Sequence, residues 1–459
     1  MRVSHSFSAD FDDPNLVSTV GLLPVMGLAE VAGLHELIAE RVTVPGPAGA
    51  NAAAKIPGLV AGMVAGADSI TDMGLLRHGG MGRLFTGVRA PTTLGTHLRA
   101  YTFGHVRQLD AVASRLLVGL TDRVPGLVAG AGEVAYLDVD DTIRETHGYA
   151  KQGTGYGYSG VRGLNAQLAT MSTPTAAPVI LGTRLRRGSA TSAHGAPKMI
   201  TESLATAKKA GATGTITVRA DSAYYNHGVV AAARASGAHF SLTARMDPAV
   251  VAAISRIPEE SWTPIQYPNA IFDEEEGRWI SDAEVAEIGY TAFTSRRKAE
   301  HVSARLIVRR VKRLNPASTP AGQEELLAAY RHHGVFTDSP LGMLAAEASH
   351  RDHAIVEQVI ADLKAGPLAH LPSGVFTANA AWLVCAAMAF NLTRAAGVIA
   401  SRRHARARTA TIRTQLINVP ARVANHARKW RLHLPVGWPW QTAWENLFDH
   451  AHGSATAIA

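Results

Sequence analysis

The spacing of apolar residues changes along the chain and separates a helical part from a strand-rich part. Residues 1–130 place apolar groups at helical spacing without convincing alternation, which predicts helices. From about residue 131, Val, Ile, Leu and Thr become frequent in short runs that are typical of strands. The predicted strands are Glu133–Ile143, Leu164–Ser172, Pro178–Arg187, Gly214–Ala220 and Ala238–Ala244.

Helical spacing over residues 197–210 and 228–236 follows the third and fourth of these strands. The order of elements is therefore three strands, a helix, a strand, a helix and a strand, which is the order of an RNase H-like domain. Residues 246–334 differ, with the acidic run Asp273-Glu274-Glu275-Glu276 and a strand at Ala304–Lys312, and we interpret them as an insertion. A strand at Gly334–Thr337 then leads into one helix over about 341–365, which Gly366-Pro367 ends.

These patterns predict an α/β protein with an RNase H-like catalytic core, a β-rich insertion, a helical N-terminal domain and a basic C-terminal segment. The predicted parts are residues 1–130, the helical domain; 131–245, the first part of the core; 246–334, the insertion; 335–400, the second part of the core; and 401–459, the basic segment.

One stretch of the helical domain is compatible with a helix-turn-helix. A helix over Asp72–Phe85 and the turn-like Thr86-Gly87-Val88-Arg89 precede a helix that begins at Pro91-Thr92-Thr93. In that interpretation Thr93, Thr96, His97 and Arg99 face DNA. An ordinary helical bundle explains the same pattern, and we prefer the bundle.

The net charge of +8 is concentrated at the C-terminal end of the chain. Residues 1–130 hold ten basic and ten acidic side chains, and residues 131–370 hold 25 of each. Residues 371–459 hold ten basic side chains but only Glu445 and Asp449 as acids. This asymmetry indicates a polyanion such as nucleic acid, or else a solvated basic tail. The motif at 428–431, with Trp430 among Arg428, Lys429 and Arg431, suits backbone contact combined with stacking, or else aromatic packing under a solvated basic face.

The insertion also carries clustered cations and two tryptophans. Its cations give it a basic edge suited to phosphates: Arg296, Arg297, Lys298, Arg309, Arg310, Lys312 and Arg313. We expect Trp262 and Trp279 to pack a small core of the insertion.

Cysteine usage and hydropathy narrow the class of protein further. A single cysteine, Cys385, excludes a disulfide scaffold and a four-cysteine zinc module, and it fits a reducing cytosol. The apolar stretches 16–34 and 378–400 contain proline, asparagine or charged residues, so we interpret them as buried helices and expect no membrane span. We therefore expect a soluble, cytoplasmic protein.

Three acidic signals carry the candidate chemistry. The first is AYLDVDDTI, a strand that ends in Asp138, Asp140 and Asp141, of which Asp138 and Asp140 share one face. The second is Asp221, at the C-terminal end of the apolar strand TITVRAD, where open α/β sheets usually bind ligands. The third is a helical stripe: His350, His353, Glu357 and Lys364 lie at offsets of 0, 3, 7 and 14 residues, within one narrow sector.

Taken together, these signals resemble the insertion-sequence transposases of the DDE type. The group with a Tyr-x2-Arg-x3-Glu-x6-Lys signature, insertion-sequence group thirteen-eighty, is the most similar. Here that signature reads His350-x2-His353-x3-Glu357-x6-Lys364, so the spacing, the Glu and the Lys are kept while both leading positions are His. The group's first acid opens an Asp-x-Thr/Ser, which Asp140-Asp141-Thr142 supplies, and its second follows the fourth strand, as Asp221 does.

The resemblance implies a fold, an activity and a site. Asp140, Asp221 and Glu357 would hold two Mg²⁺ or Mn²⁺ ions and catalyse phosphodiester cleavage and strand transfer, because hard divalent ions prefer oxygen ligands. The implied partners are terminal inverted repeats and target DNA, bound by a homodimer associated with the nucleoid. The expected DNA-contacting residues are Lys364, His350, His353, Arg402, Arg403, Arg406, Arg408, Lys429 and Trp430.

Other functions fit part of the sequence. LDVDDTI also matches the first motif of haloacid-dehalogenase-like phosphatases, in which Asp138 is the nucleophile and Asp140 the acid/base. That mechanism needs a later acidic pair, and no Asp-Asp occurs after residue 141. The sequence also fits a DNA-binding protein without catalysis and an RNase H-like nuclease without strand transfer.

Overall fold

The computed structural model describes residues 1, 5–148, 150–265, 272–273, 278–279, 283–312, 330–426 and 429–452. The chain forms two compact units. The first unit comprises Met1–Leu127, Thr146–Thr154 and Ala361–Ala459, and the second comprises Val128–Glu145 and Gly155–Ile360. The five-part division expected from the sequence stays a prediction.

The α-helices of the described chain are numbered in chain order. They are α1 (Leu22–Val31), α2 (Leu34–Arg41), α3 (Gly46–Gly49), α4 (Ala52–Ala65), α5 (Met81–Leu84), α6 (Pro91–Arg99), α7 (Phe103–Arg123), α8 (Ala196–Lys209), α9 (His227–Ala235), α10 (Pro248–Ile254), α11 (Met343–Arg351), α12 (Ile355–Lys364), α13 (Phe376–Ala400), α14 (Arg402–Ala405), α15 (Thr409–Ile412) and α16 (Gln441–His452).

The strands are numbered in the same way. They are β1 (Leu16–Val17), β2 (Val134–Glu145), β3 (Gly155–Tyr156), β4 (Arg162–Ser172), β5 (Val179–Arg187), β6 (Thr215–Ala220), β7 (His239–Thr243), β8 (Thr263–Ile265), β9 (Phe272–Asp273), β10 (Arg278–Trp279), β11 (Ala283–Ala292), β12 (Val302–Lys312), β13 (Tyr330–Thr337), β14 (Ala421–His426) and β15 (Lys429–His433).

The first unit is a helical bundle built around α13. This helix is apolar on all sides, as expected for a helix enclosed by others, and it packs against α1, α4, α6, α7 and α16. Its Trp382 is fully buried and donates Nε1–H to the carbonyl of Pro367 at 2.6 Å. The length and hydropathy of α13 would suffice to cross a membrane, and the bent pair α1–α2 passes the same test, but 89% of the apolar window of α13 is buried by protein. A buried core helix has these properties, as the sequence predicted for this stretch.

The helices of the N-terminal region pack against one another, in agreement with a bundle, and the first helix of the helix-turn-helix interpretation is not formed as predicted. Instead of one helix over Asp72–Phe85, the chain forms a 3-10 helix (Thr71–Arg77) and the single turn α5. His97 in α6 is buried, and its ring nitrogens contact the carbonyl of Ala48 at 2.8 Å and the hydroxyl of Tyr101 at 3.3 Å. Burial lowers the pKa of His97. A neutral, enclosed His97 packs the bundle and does not face DNA.

A small sheet also belongs to the first unit. Its strand order is β1-β14-β15, and both pairings are antiparallel. Strands β14 and β15 form a hairpin that carries part of the basic C-terminal charge, including Arg422, Lys429 and Arg431. Part of the basic charge of the C-terminal region therefore lies in a folded hairpin.

The second unit contains a ten-stranded mixed sheet within the described residues, with the order β3-β4-β2-β6-β7-β13-β12-β11-β8 and β5 paired to β4. Strands β5, β4 and β2 are antiparallel neighbours, whereas β2, β6 and β7 run parallel. Helices α8 and α9 pack together and against these strands. Each of the five strands predicted here from composition is present, with its ends within two residues.

The insertion predicted over residues 246–334 extends the sheet of the preceding strands. Strand β13 pairs with β7, and β12, β11 and β8 follow in antiparallel order. Val285, Ile307 and Val335 from three of these strands pack with Ala346 of α11. The hydrophobic contact fixes α11 on the insertion strands, and this helix leads directly to the helix that carries Glu357.

Candidate active site

The parallel register of β2 and β6 brings two acidic residues side by side. Val139 pairs with Ala220 in the last matched position of these strands, so the next residue on each chain is Asp140 and Asp221. Residues in register on parallel neighbours point to the same side of a sheet. Asp140 and Asp221 therefore meet beyond the end of β6, at the carboxyl end of the parallel strands, where open sheets bind ligands.

Two residues earlier on each strand, on the same face of the sheet, Asp138 and Arg219 form a buried ion pair. Arg219 Nε donates to Asp138 Oδ1 at 2.6 Å, and Nη2 donates to Oδ2 at 2.7 Å. Asp138 is 0% and Arg219 1% exposed, and the guanidinium lies 4.0 Å from the centre of the Tyr136 ring. Asp138 is thus enclosed and fully paired. It cannot serve as the nucleophile of a phosphatase, which removes the haloacid-dehalogenase-like interpretation.

Asp141 lies on the opposite face of β2 and is also paired. Its partner Arg186 is buried and donates to Asp141 Oδ2, to Asn165 Oδ1 and to three backbone carbonyls between residues 191 and 194. Every donor direction of this guanidinium is therefore occupied by the protein. Arg186 therefore connects Asp141 to the turn at 191–194 and neutralises its charge.

The helical part of the site differs from the single helix predicted over 341–365. Helix α11 ends at Arg351, a 3-10 turn covers Asp352–Ala354, and α12 begins at Ile355. Two side chains contact the carbonyls that a continuous helix would use. Arg219 Nη1 binds the Ser349 carbonyl at 2.5 Å, and His353 Nδ1 binds the His350 carbonyl at 2.6 Å. The predicted helix is present over most of 341–365, but its α-helical hydrogen bonding is broken at Asp352–Ala354, so the offsets of 0, 3, 7 and 14 do not describe one straight stripe.

Arg219 also defines which face of the sheet the break occupies. The same guanidinium binds Asp138 in β2 and Ser349 in α11. The break consequently lies on the face that carries Asp138, Asp140 and Asp221, and the exposed Glu357 follows it on α12. Two strand ends and one helix therefore supply the three predicted catalytic acids, all within the second unit.

The two histidines of the signature have different environments. His350 is 5% exposed, and its ring nitrogens contact Ser241 Oγ at 3.0 Å and Thr243 Oγ1 at 2.9 Å. Burial, together with the charges of His353 and Arg219, lowers the pKa of His350 to about 3, so the ring is neutral. His350 fixes α11 against β7, and its enclosed ring argues against the DNA contact predicted for it. His353 is half-buried, with its ring 4.8 Å from that of His350.

The electrostatics distinguish Asp140 from its paired neighbours. Burial and, to a smaller extent, the negative charges of Asp221, Asp141 and Glu357 raise the pKa of Asp140 to about 7, although the backbone N–H of Asp141 donates to its carboxylate. Partial desolvation and the charge of Asp141 also raise the pKa of Asp221, which accepts the N–H of Ala223 at 2.9 Å. Within the described ranges, no Lys or Arg forms an ion pair with Asp140, Asp221 or Glu357.

The donors available at this site fit a hard divalent cation. Asp140, Asp221 and Glu357 offer carboxylate oxygens, the ligands that Mg²⁺ and Mn²⁺ prefer, and their mutual repulsion is what a bound cation relieves. Among the residues that the structure describes, no three His, Cys, Asp or Glu side chains already converge closely enough to enclose an ion. The acids are therefore gathered but not closed into a cage.

Arg219 and Arg186 are the functional residues that sequence reasoning missed. One signal was available for Arg219, because an arginine in the middle of the apolar strand TITVRA requires a buried acid as partner. No local signal indicated Arg186, since its partners come from β2, β4 and the turn at 191–194. The roles of Asp138 and Asp141 depend on these two arginines.

Of the five cations of the insertion's expected basic edge whose side chains the structure describes, Arg296, Arg309 and Arg310 are already paired. Arg309 Nη1 donates to the buried Glu347 at 2.7 Å. Arg310 binds Glu259 and Glu284, and its guanidinium lies 4.2 Å from the ring centre of Trp262 and 4.6 Å from that of Tyr330. These two arginines stabilise the insertion, and Trp262 covers one of them. The side chains of Asp273, Trp279 and Lys312, and all of residues 274–277 and 313, lie outside the described part.

The predicted C-terminal DNA contacts lie in the first unit, and most are exposed. Arg402, Arg403 and Arg406 project from α14 and the residues after it. Arg408 Nη1 donates to the buried Asp362 at 3.1 Å. Lys429 is exposed and Trp430 is 54% exposed on β15, with the Arg83 guanidinium 5.8 Å from the Trp430 ring centre. Lys364, at the end of α12, is half-buried.

Comparison with known proteins yields one family. The sequence model of the family described as Transposase DDE domain group 1 matches residues 3–453, nearly the whole chain. No curated protein matches the chain.

Proposed function

The chain belongs to the DDE transposase family, and from that premise we propose that it mobilises an insertion sequence by cut-and-paste transposition. In this proposal it binds terminal inverted repeats, cleaves a phosphodiester bond at each end and joins the exposed 3′-hydroxyls to target DNA. Asp140, Asp221 and Glu357 are the catalytic and metal-binding residues.

The observation that carries the proposal is the contrast along β2 and β6. Asp138 and Asp141 are neutralised by Arg219 and Arg186. Asp140 has no such partner in the described chain and is surrounded by the charges of Asp221, Asp141 and Glu357. A fold that gathers acids and leaves them unneutralised favours a site where a cation binds.

The order of the strands supports an RNase H-like core. Strands β5, β4 and β2 are antiparallel, and β2, β6 and β7 are parallel, with α8 and α9 between the later strands in the chain. This agrees with the order of elements expected from the sequence. We propose residues 131–245 and 335–400 as the two parts of that core and residues 246–334 as its insertion.

DDE transposases generally use divalent metal ions, and we propose that Asp140, Asp221 and Glu357 hold Mg²⁺ or Mn²⁺, two ions per site. The bound ions supply Lewis-acid activation of the attacking oxygen and neutralise charge on the phosphate and the leaving oxygen. The protein's own part is to present three carboxylates from two strand ends and one helix. Arg219 orients this arrangement, because it ties β2 and β6 to the end of α11.

We propose Lys364, His353, Arg402, Arg403, Arg406, Lys429 and Trp430 as DNA contacts, and we leave out Arg408 because its guanidinium is hydrogen-bonded to the buried Asp362. Exposed arginines and lysines suit phosphates, and an exposed tryptophan between cations suits stacking on a base. We further propose that the transposase acts on DNA as a homodimer at the nucleoid. His350 is left out of the set because its ring is enclosed and both its nitrogens are bonded.

The decisive experiment is Mg²⁺-dependent cleavage of a duplex that contains the inverted repeat that flanks the gene. We expect Asp140→Ala, Asp221→Ala and Glu357→Ala to abolish cleavage while binding to the repeat is retained. Glu145→Ala is the matched control, because Glu145 is an exposed acid on the same strand β2. Full cleavage by any of the three variants removes that residue from the site.

The same assay separates transposition from binding alone and from simple cleavage. Specific binding of the repeat with no cleavage by the wild type indicates a DNA-binding protein without catalysis. Cleavage without joining of the 3′-ends to a target plasmid indicates a nuclease. Joined products, flanked by a short target duplication, are the result that we expect.

A further inference from the structure

The hairpin between β11 and β12 ends in an exposed cluster of cations. We call residues 294–301 the basic tip; it contains Arg296, Arg297 and Lys298 against one acid, Glu300. Arg296 is paired with Glu300 at 3.2 Å. Arg297 and Lys298 are exposed, and neither forms an ion pair with any residue that the structure describes. Two cations of the tip are therefore available to an external anion, unlike Arg309 and Arg310 on the same hairpin.

Aromatic contacts anchor the basic tip beside the turn that follows Asp221. The ring of Phe293, the residue before the tip, lies 5.1 Å from the ring of Tyr225 and 6.3 Å from that of Phe336. Tyr225 is only four residues after Asp221. The first residue of α9, His227, also contacts Glu300 in the tip at 3.7 Å. The tip is thus fastened to the loop that presents a catalytic acid.

The backbone of Phe293 indicates that this anchor is under strain. Phe293 has a φ of 61°, in the left-handed region that aromatic residues rarely adopt. Such a conformation is unfavourable and persists only where the surrounding packing requires it. The rings of Tyr225 and Phe336 provide that packing. The strained residue sets the direction of the tip relative to the Asp221 turn.

A second cation lies at the same turn. Arg245, just beyond β7, donates Nε–H to the carbonyl of Ser222 at 3.1 Å, and its side chain is exposed. The residues after Asp221 therefore contact two basic groups. One is the guanidinium of Arg245, and the other is the basic tip between β11 and β12. Cations in this position offset the repulsion that the catalytic carboxylates exert on a phosphate chain.

We propose that the basic tip binds the DNA backbone within a few nucleotides of the scissile phosphate and positions that phosphate over Asp140, Asp221 and Glu357. Arg297 and Lys298 contact the phosphates, and Phe293 is a positioning residue that acts through the tip. The inference rests on the proposed transposase site and specifies a strand-gripping element that the catalytic acids do not provide.

Cysteine tethering tests the position of the tip directly. The only natural cysteine, Cys385, is buried, so Lys298→Cys introduces a single accessible thiol. The probe is an inverted-repeat duplex that carries one disulfide-activated phosphate tether, moved one nucleotide at a time across the element end. A Glu357→Gln background prevents cleavage. We expect cross-linking to peak within about three nucleotides of the cleavage position, and Lys209→Cys on the exposed face of α8 to give no such peak.

The outcomes separate the inference from the proposed function. If the wild type cleaves and Lys298→Cys cross-links only distant phosphates or none, the tip proposal is overturned while the active site stands. If the wild type does not cleave but Lys298→Cys still cross-links at the element end, the tip binds DNA and the catalytic proposal fails.

Salt dependence gives a second readout. Loss of two phosphate contacts is expected to lower the slope of log K against log salt by about 2 in Arg297→Ala/Lys298→Ala. The exposed pair Lys209→Ala/Arg256→Ala is the control and should leave the slope unchanged. Phe293→Asn tolerates the left-handed backbone but lacks the ring, so we expect near-normal affinity with cleavage spread over several positions. An unchanged slope in the tip variant, or a single cleavage position in Phe293→Asn, contradicts the proposal.

Discussion

Two positions on the same face of β2 and β6 differ in how their charges are paired. At the inner position, Asp138 and Arg219 neutralise one another in a fully buried, doubly hydrogen-bonded pair. Two residues further along each chain lie two acids, Asp140 and Asp221. In the described chain, neither of them forms an ion pair with a Lys or Arg. The inner pair holds β2, β6 and α11 together, whereas the outer pair concentrates negative charge at the end of the sheet.

This difference distinguishes an aspartate that stabilises the fold from an aspartate that we propose as a metal ligand, although the residue type is the same. An aspartate enclosed with an arginine has its charge satisfied, and removing either partner exposes an uncompensated buried charge. An aspartate whose neighbours are also acids has a raised pKa and gains stability when a cation arrives. The same rule separates Arg310, held by Glu259 and Glu284, from the unpaired cations of the basic tip.

The largest expected effect comes from a comparison of two variants in which adjacent acids of β2 are neutralised. Asp140→Asn is expected to reduce cleavage by about 1,000-fold or more, because metal ligation supplies several kcal/mol of transition-state stabilisation, and to leave folding intact. Asp141→Asn removes the partner of Arg186, so we expect it to lower Tm while cleavage falls less than about tenfold. Single-turnover cleavage and thermal unfolding measure both effects. Equal loss of cleavage in two well-folded variants would erase the distinction.

The inner pair predicts a large change in stability. Arg219→Met leaves Asp138 buried without a partner and is expected to cost about 3–5 kcal/mol in the free energy of unfolding. Asp138→Leu/Arg219→Met removes both charges and should recover most of that loss. Urea denaturation of the single and double variants measures the difference. A double variant as unstable as the single one would mean that the pair is needed for reasons other than its charge.

The outer pair, Asp140 and Asp221, predicts that the free energy of unfolding falls as the pH rises. The folded pKa of Asp140, about 7, lies above the unfolded value of ~3.9, so between these values the folded chain holds a proton that the unfolded chain has lost. The free energy of unfolding in EDTA should therefore fall by about 2 kcal/mol from pH 5 to pH 8 through this group. Asp140→Asn should remove that part of the slope, and Mg²⁺ should restore stability above pH 7. Urea titrations at four pH values test this, and an unaltered slope in the variant contradicts it.

The smallest expected effect concerns the cations of the first unit. It tests whether an arginine that is paired with an acid is unavailable to DNA. Arg402 and Arg403 are exposed, whereas Arg408 is hydrogen-bonded to Asp362. Arg402→Ala/Arg403→Ala is expected to weaken repeat binding and to lower the slope of log K against log salt by about 2. Arg408→Ala should change that slope by less than 1 and lower stability slightly. Fluorescence anisotropy at several salt concentrations distinguishes them. A larger loss from Arg408→Ala would show that pairing does not predict availability.

Much of the second unit could be predicted from the sequence. The residue composition was enough to predict β2, β4, β5, β6 and β7. Short runs of Val, Ile, Leu and Thr that are bounded by Gly, Pro or Asp are typical of strands. The break in the helix before Glu357 could not be predicted. No proline or glycine marks Asp352–Ala354, and the carbonyls are diverted by Arg219, 130 residues away along the chain, and by His353. The site residues Asp140, Asp221 and Glu357 stay predictions from spacing and resemblance.

The sequence by itself determined the family of the protein, the residue types of its site and the concentration of basic charge near the C-terminus, because these depend on local order and spacing. Only the tertiary structure decided which charges are available. The arginines that neutralise Asp138 and Asp141, the acids that occupy Arg309 and Arg310, and the hydroxyls that enclose His350 come from distant segments. Whether a charged group has an ion-pair or hydrogen-bond partner depends on which residues lie next to it in the folded chain. The spacing of residues along the sequence does not contain that information.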